Sequence, residues 1–68
     1  MIMKIRYDKE VDAAYIYLKK IRKGEVAKTI SLNENIIVDL DKKGRFLGIE
    51  ILNASKSLAK PILSSLKK

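Results

Sequence analysis

The stretch that decides the fold is residues 36–52, which read IIVDLDKKGRFLGIEIL. Apolar side chains alternate through both of its ends, with Ile49 and Ile51 on one face, and such period-two alternation predicts β-strands. Between these ends, residues 41–44 (DKKG) have the composition of a hairpin loop, with Gly44 placed to take a left-handed conformation. The stretch therefore predicts two antiparallel strands joined by a tight turn.

The same alternation extends toward the N-terminus. Residues 13–18 (AAYIYL) place apolar or aromatic side chains on both faces, which favours an interior or covered strand. Residues 3–7 and 26–32 also alternate, and short polar turns at 8–12 and 33–35 interrupt the pattern. We expect an antiparallel β-meander of four or five strands.

A sheet with one apolar face needs a cover, and the C-terminal segment is the candidate within this chain. Pro61 suits the first turn of a helix there, although Ser55 or Ser57 could instead cap an earlier start that kinks at Pro61. The helix would pack on its own sheet or on a second copy. Its apolar face consists of residues with helical spacing: Ala59, Ile62, Leu63 and Leu66.

The predicted fold class is α+β, with an amphipathic C-terminal helix. Residues 1–56 form the antiparallel β part, and residues 57–68 form the C-terminal helix and basic tail of the same single domain. A chain of 68 residues is too short for two lobes with a cleft between them.

Composition excludes several classes of function. There are 15 Lys and Arg against 8 Asp and Glu, a net charge of +7, while the absence of Cys and His excludes disulfides, thiolate metal sites and histidine chemistry. No apolar run reaches the roughly 18 residues that a membrane span needs. Charged residues occur too close to the start for the apolar part of a secretory signal. We expect a basic cytoplasmic protein with no membrane partner.

One acidic group has the spacing that opens an EF-hand calcium loop, namely Asp8, Glu10 and Asp12. The match then fails, because Ala13 and Lys19 occupy the positions that need Gly and Glu. We therefore expect a polar turn, with one carboxylate bonded to loop amides.

A second acidic pair, Asp39 and Asp41, lies about 7 Å apart by strand rise, a separation at which carboxylates can bind Mg²⁺ or act as acid and base. No third ligand accompanies the pair, so we expect Asp39 to face solvent and Asp41 to open the hairpin turn. No serine has a histidine to activate it, and no phosphate-binding glycine loop is present. The sequence predicts no enzyme, no metal site and no cofactor.

Two linked motifs point to a known family. The patterns YDxExDAxYIxL over residues 7–18 and IxDxDxxGxxxGIEILxAS over residues 37–55 together resemble the family called domain of unknown function 2283. The resemblance implies a small β-rich domain without an established activity, suggested as an antitoxin component beside a RelE-type toxin. Lys9 departs from the family's usual Pro, and the tail beyond Lys56 lies outside the pattern.

Within this motif, Gly48 lies in the middle of a strand. A missing side chain there lets an aromatic ring or a backbone segment come close. Tyr7 and Tyr15 are the two candidates for that ring.

The leading functional interpretation is a non-enzymatic interaction domain that binds a partner protein through a sheet edge or the C-terminal helix. Its net positive charge counts against simple charge mimicry of a basic toxin. A homodimer that buries two apolar sheet faces is compatible with this interpretation. The candidate partner-binding residues are Asp8, Glu10, Asp12, Ile62, Leu63 and Leu66.

The alternative is a nucleic-acid-binding protein that uses a basic cluster and the lysines of the C-terminal tail. The cluster consists of Lys19, Lys20, Arg22 and Lys23. Nearby tyrosines could serve as stacking platforms, or they could belong to the core with their hydroxyls at its rim.

Overall fold

The computed structural model describes residues 4–66, which form five strands followed by two short helices. In chain order these are β1 (Lys4–Asp8), β2 (Ala13–Tyr17), β3 (Lys28–Ser31), β4 (Ile36–Leu40), β5 (Phe46–Leu52), α1 (Ala54–Ser57) and α2 (Lys60–Leu66). All pairings are antiparallel, which confirms an antiparallel sheet within the predicted range of four or five strands. Met3, expected in the first strand, and Lys67 and Lys68 of the basic tail lie outside the described residues.

The predicted meander is wrong in its strand order. The sheet runs β1-β2-β5-β4-β3, so β5 lies at its centre between β2 and β4. The link of residues 18–27 carries the chain from β2 to the far edge, where β3 pairs only with β4 among the described strands. This order gives the longest strand, β5, two neighbours, which satisfies its backbone groups on both sides.

The apolar face of the sheet is covered by the chain's own helical segment. Ala14 of β2 lies opposite Ile51 of β5, so both side chains point to the same face. There they form a core with Ala54 of α1, which is completely buried, and Leu58 packs against it. The helical cover thus packs on its own sheet.

The helical segment begins earlier than predicted and is interrupted. Because α1 begins at Ala54, the chain turns helical directly after β5, before a break at Leu58. Pro61 is the second residue of α2, in the first turn as predicted. No helix within residues 4–66 is long and apolar enough to cross a membrane.

The β4–β5 hairpin confirms the predicted turn. Gly44 has a φ of +78°, the left-handed conformation that a glycine adopts without steric cost. Asp41, only 9% exposed, accepts hydrogen bonds from the backbone N–H groups of Lys43 and Arg45, each at 2.9 Å. The Arg45 Nε–H also donates to Asp41 Oδ2 at 2.7 Å. Asp41 is therefore the first residue of the turn, as predicted, and these hydrogen bonds hold the turn together.

Candidate functional site

The face of the sheet opposite the core carries a tyrosine that spans three strands. Tyr15 of β2 reaches across Gly48 of β5 and donates a hydrogen bond from its hydroxyl to Asp39 Oδ2 of β4 at 2.6 Å. Thr29 Oγ1 of β3 donates to the other carboxylate oxygen of Asp39 at 2.9 Å. Asp39 lies on the predicted solvent side of the sheet, but it is half-buried there and accepts two hydrogen bonds. The donor Tyr15 and the acceptor Asp39 lie two strands apart in the sheet, with β5 between them.

The environment of Tyr15 keeps its hydroxyl protonated. Burial raises the pKa of Tyr15 far above its ordinary value, and the hydrogen bond to Asp39 raises this pKa further. The Tyr17 ring meets the Tyr15 ring edge to face, with centroids 4.6 Å apart. Tyr17 is therefore held beside an anchored ring.

Basic side chains surround Tyr17. Lys4 lies directly opposite Tyr17 in the β1–β2 ladder, and Arg6 lies opposite Tyr15. Because cross-strand partners share a face, both cations point to the tyrosine side of the sheet. With Lys19 and Lys20 they line a shallow depression of about 400 Å³.

A second depression of about 260 Å³ adjoins the first and shares Lys19 with it. Phe46, at the start of β5, lines this second depression with 62% of its surface exposed. Arg45 lines it too. We call the continuous surface the basic aromatic face and define it by Lys4, Arg6, Tyr17, Lys19, Lys20 and Phe46.

The predicted basic cluster is divided by the structure. Lys19 and Lys20 belong to the basic aromatic face, with Lys19 in an ion pair with Glu25. The Arg22 backbone N–H donates to Glu25 Oε1 at 2.9 Å, and this bond, aided by Lys19, lowers the pKa of Glu25. Arg22 and Lys23 lie in the exposed turn that follows and line neither depression.

The predicted acidic patch is also divided. Asp8 Oδ1 accepts the Glu10 backbone N–H at 3.0 Å, the local turn that the spacing predicted, and Glu10 is exposed. Asp12, at a φ of 52°, instead turns toward α1. Within residues 4–66, no three acidic side chains lie close enough to hold a metal ion.

Asp12 joins the β1–β2 turn to the start of α1. Its Oδ1 accepts the Ser55 backbone N–H at 3.0 Å and the Tyr7 hydroxyl at 2.9 Å. Its Oδ2 accepts the Ser55 hydroxyl at 2.6 Å. The bond to Asp12 raises the pKa of Tyr7. Because Asn53, the N-cap residue, makes no side-chain cap bond, Asp12 caps this helix from a distant part of the chain.

The apolar C-terminal candidates lie in α2. Ile62 is 49% exposed, and the side chains of Leu63 and Leu66 lie outside the described part of the chain. The helix lies against β1, away from the opposite edge of the sheet, where β3 exposes all four of its residues. The side chains needed to test the six candidate partner-binding residues as one surface are not all described, so that set stays a prediction.

Sequence reasoning missed the contribution of Lys4, Arg6 and Phe46. The signal was present for the first two, since closing residues 4–17 as a hairpin places them beside the tyrosines. Phe46 joins the face only because β5 pairs with β2, which depends on the strand order.

The family and the relative that this chain matches are both uncharacterised. The family described as "Protein of unknown function (DUF2283)" matches residues 4–55. A curated relative, the "Uncharacterized protein MJ0789" of Methanocaldococcus jannaschii, is 43% identical over 56 residues, which cover 82% of this chain. The chain spans about half the length of this relative, since the alignment covers 45% of it. No solved structure gives a significant match.

Proposed function

The chain belongs to the DUF2283 family of proteins of unknown function, as its motifs indicated, and from that premise we propose that it is a non-enzymatic module that binds a partner protein along the free edge of β3. The observation that carries the proposal is that β3 ends the sheet with all four residues, Lys28 to Ser31, exposed. An exposed strand edge can accept a further strand through main-chain hydrogen bonds.

The free backbone groups of this edge alternate. Leu32 N–H donates to Ile36 O at 2.8 Å, and Ile30 lies opposite Val38 in the same ladder. In an antiparallel ladder, residues that bond inward alternate with residues whose N–H and C=O point outward. Thr29 and Ser31 are therefore the residues that would pair with an added strand.

Apolar side chains accompany this edge. Val26, Ile30 and Leu32 are all exposed, and Ile30 and Leu32, which continue one ladder to β4, lie on one side of the β3 edge. Lys28, two residues before Ile30 in the same strand, lies on that side too. A partner segment with alternating apolar residues and one acidic residue opposite Lys28 would complement this edge in both hydrophobicity and charge.

Charge favours strand addition over charge mimicry. The chain carries +7 overall, and four of its carboxylates, besides that of Asp8 in its local turn, are already engaged internally. These belong to Asp12, Glu25, Asp39 and Asp41. A RelE-type toxin, the partner that the family resemblance suggested, is commonly basic, so recognition through main-chain hydrogen bonds suits it better than an acidic surface would.

The experiment is a tagged pull-down from a lysate of the source organism, treated with nuclease and read by mass spectrometry. Leu32→Lys should abolish recovery of the partner, because it places a charge in the apolar edge. Val11→Lys is the matched control, since Val11 and Leu32 are 68% and 66% exposed and the change in charge is the same. Ile62→Lys tests the alternative in which α2 binds the partner.

The purified complex gives a second readout. Strand addition should slow hydrogen exchange at the Thr29 and Ser31 amides, while the amide of Ile30 already bonds within the sheet. Recovery that survives Leu32→Lys but fails with Ile62→Lys would transfer the function to α2. Equal loss with Val11→Lys, or exchange at Thr29 and Ser31 unchanged in the complex, would exclude the β3 edge.

A further inference from the structure

The basic aromatic face retains a positive charge after its acidic residues are counted. The two depressions are lined by five cations (Lys4, Arg6, Lys19, Lys20 and Arg45) and two carboxylates (Glu25 and Asp41), which gives 5 − 2 = +3. Both carboxylates are already held by backbone N–H groups and by ion pairs. The uncompensated cations therefore face solvent over a continuous surface, which suits a chain of phosphates.

Two aromatic rings lie within this positive field. Tyr17 lies directly opposite Gly48 in the β2–β5 ladder and lines the first depression, while Phe46 lies two residues before Gly48 on β5 and lines the second. Phe46 is largely exposed, which is unusual for an apolar ring of this size. Tyr17 is half-buried, and accessible ring surface flanked by Lys and Arg is the arrangement on which successive bases of a single strand stack.

Acidic residues limit the extent of this surface. Glu50, Asp8 and Glu10 line a neighbouring depression that shares Arg6 and Tyr17 with the first, and Asp39 accepts the Tyr15 hydroxyl on the far side of Gly48. Phosphates would be repelled from both directions. The favourable path thus runs from Arg6 past Tyr17 and Lys19 to Phe46.

We infer that the basic aromatic face binds single-stranded nucleic acid, with phosphates on Lys4, Arg6 and Lys20 and bases stacked on Tyr17 and Phe46. This site is separate from the β3 edge. Either one can fail without affecting the other.

The first test uses the absence of tryptophan from the chain. Phe46→Trp places a single fluorophore on the proposed platform, and Leu32→Trp places one at an equally exposed position on the β3 edge. An oligothymidine and an oligouridine of about 12 nucleotides, within the usual range of site sizes, are titrated separately to distinguish DNA from RNA. Stacking should quench the Phe46→Trp fluorescence strongly and leave that of Leu32→Trp unchanged.

The second test measures the salt dependence of binding by fluorescence anisotropy with a labelled oligonucleotide. Removing two phosphate contacts with Lys4→Ala and Lys20→Ala should reduce the log–log salt slope by about 1.4, twice the single-strand value of roughly 0.7 per phosphate. Lys56→Ala with Lys60→Ala removes the same charge from the helices and should leave the slope unchanged. Phe46→Ala should weaken binding about tenfold.

Three results would overturn the inference. One is equal quenching at Phe46→Trp and Leu32→Trp, and another is an equal reduction in slope for the two lysine pairs. The third is duplex DNA binding as tightly as the single strand, which would indicate charge attraction without stacking. Circular dichroism of each variant verifies that the fold is retained.

Discussion

Tyr15 occupies the space that a side chain at position 48 would need. A Cβ built on Gly48 would lie 2.6 Å from both Cε2 and Cζ of Tyr15 and even closer to the Tyr15 hydroxyl oxygen. The ring can cross β5 to Asp39 only because Gly48 has no side chain. This glycine thereby sets the position of Tyr15 and, through the edge-to-face contact, that of Tyr17.

We predict that Gly48→Ala destabilises the fold by about 2 kcal/mol, since an inserted methyl group must displace a packed ring. In a Tyr15→Val background the same change should be neutral or stabilising, because alanine suits a strand better than glycine does once the space is open. Urea denaturation of all four proteins gives the coupling energy. Equal costs in the two backgrounds would show that the ring does not determine the effect.

Tyr15→Phe should cost about 1 kcal/mol, because the half-buried Asp39 loses one of its two hydrogen-bond donors. It should also change the response to alkali. Since the pKa of Tyr15 is raised in the folded state, its contribution is fully present below the ordinary value of 10.0 and is lost as pH rises through the higher folded value. Above pH 10.0 the stability of the wild type should therefore fall more steeply than that of the variant, as urea midpoints would measure. Parallel curves would contradict this assignment.

The strands were predictable because their information is local. Alternation identified all five segments, and the composition of residues 41–44 identified the hairpin. The order was not predictable, because the link of residues 18–27 is long enough to reach either edge of the sheet. The position of β5 beside β2 depends on long-range pairing that no local pattern records.

The contact at Gly48 was predictable in part. The sequence indicated a close aromatic neighbour but left Tyr7 and Tyr15 as alternatives. Register decides between them, because Tyr7 lies opposite Ala14 on the core face, whereas Tyr15 lies on the face of Gly48. The tertiary cap by Asp12 had no such signal, since its partner Ser55 is 43 residues away.

We predict that Asp12→Ala costs about 2 kcal/mol, at the upper end of the range for loss of a cap, because Ala also tolerates the left-handed φ of 52° poorly. Asp12→Gly removes the carboxylate without that strain and should cost less. Asp12→Asn should cost least, since its amide oxygen can still accept the Ser55 N–H. Thermal denaturation of the three variants ranks them, and an Asn variant as unstable as the Ala variant would mean that the charge matters more than the hydrogen bonds.

The last prediction concerns acid. Hydrogen bonds from the Arg45 backbone N–H, with help from the Arg45 side chain and the Lys43 N–H, lower the pKa of Asp41 from its ordinary value of 3.8. A carboxylate with a lowered pKa in the folded state stabilises the protein above its ordinary pKa, and this contribution is lost as pH falls through the lower value. Asp41→Asn should therefore be less stable than wild type at neutral pH.

The two proteins should then converge as the pH is lowered from about 5 to about 2. Urea midpoints across this range provide the measurement, and the matched hairpin variant Lys42→Ala should follow the wild-type curve in parallel. If the gap between Asp41→Asn and wild type stayed constant down to the lowest pH, the ionised carboxylate would not be what closes the turn. The neutral hydrogen bonds to Lys43 and Arg45 would then have to account for the stability of the hairpin.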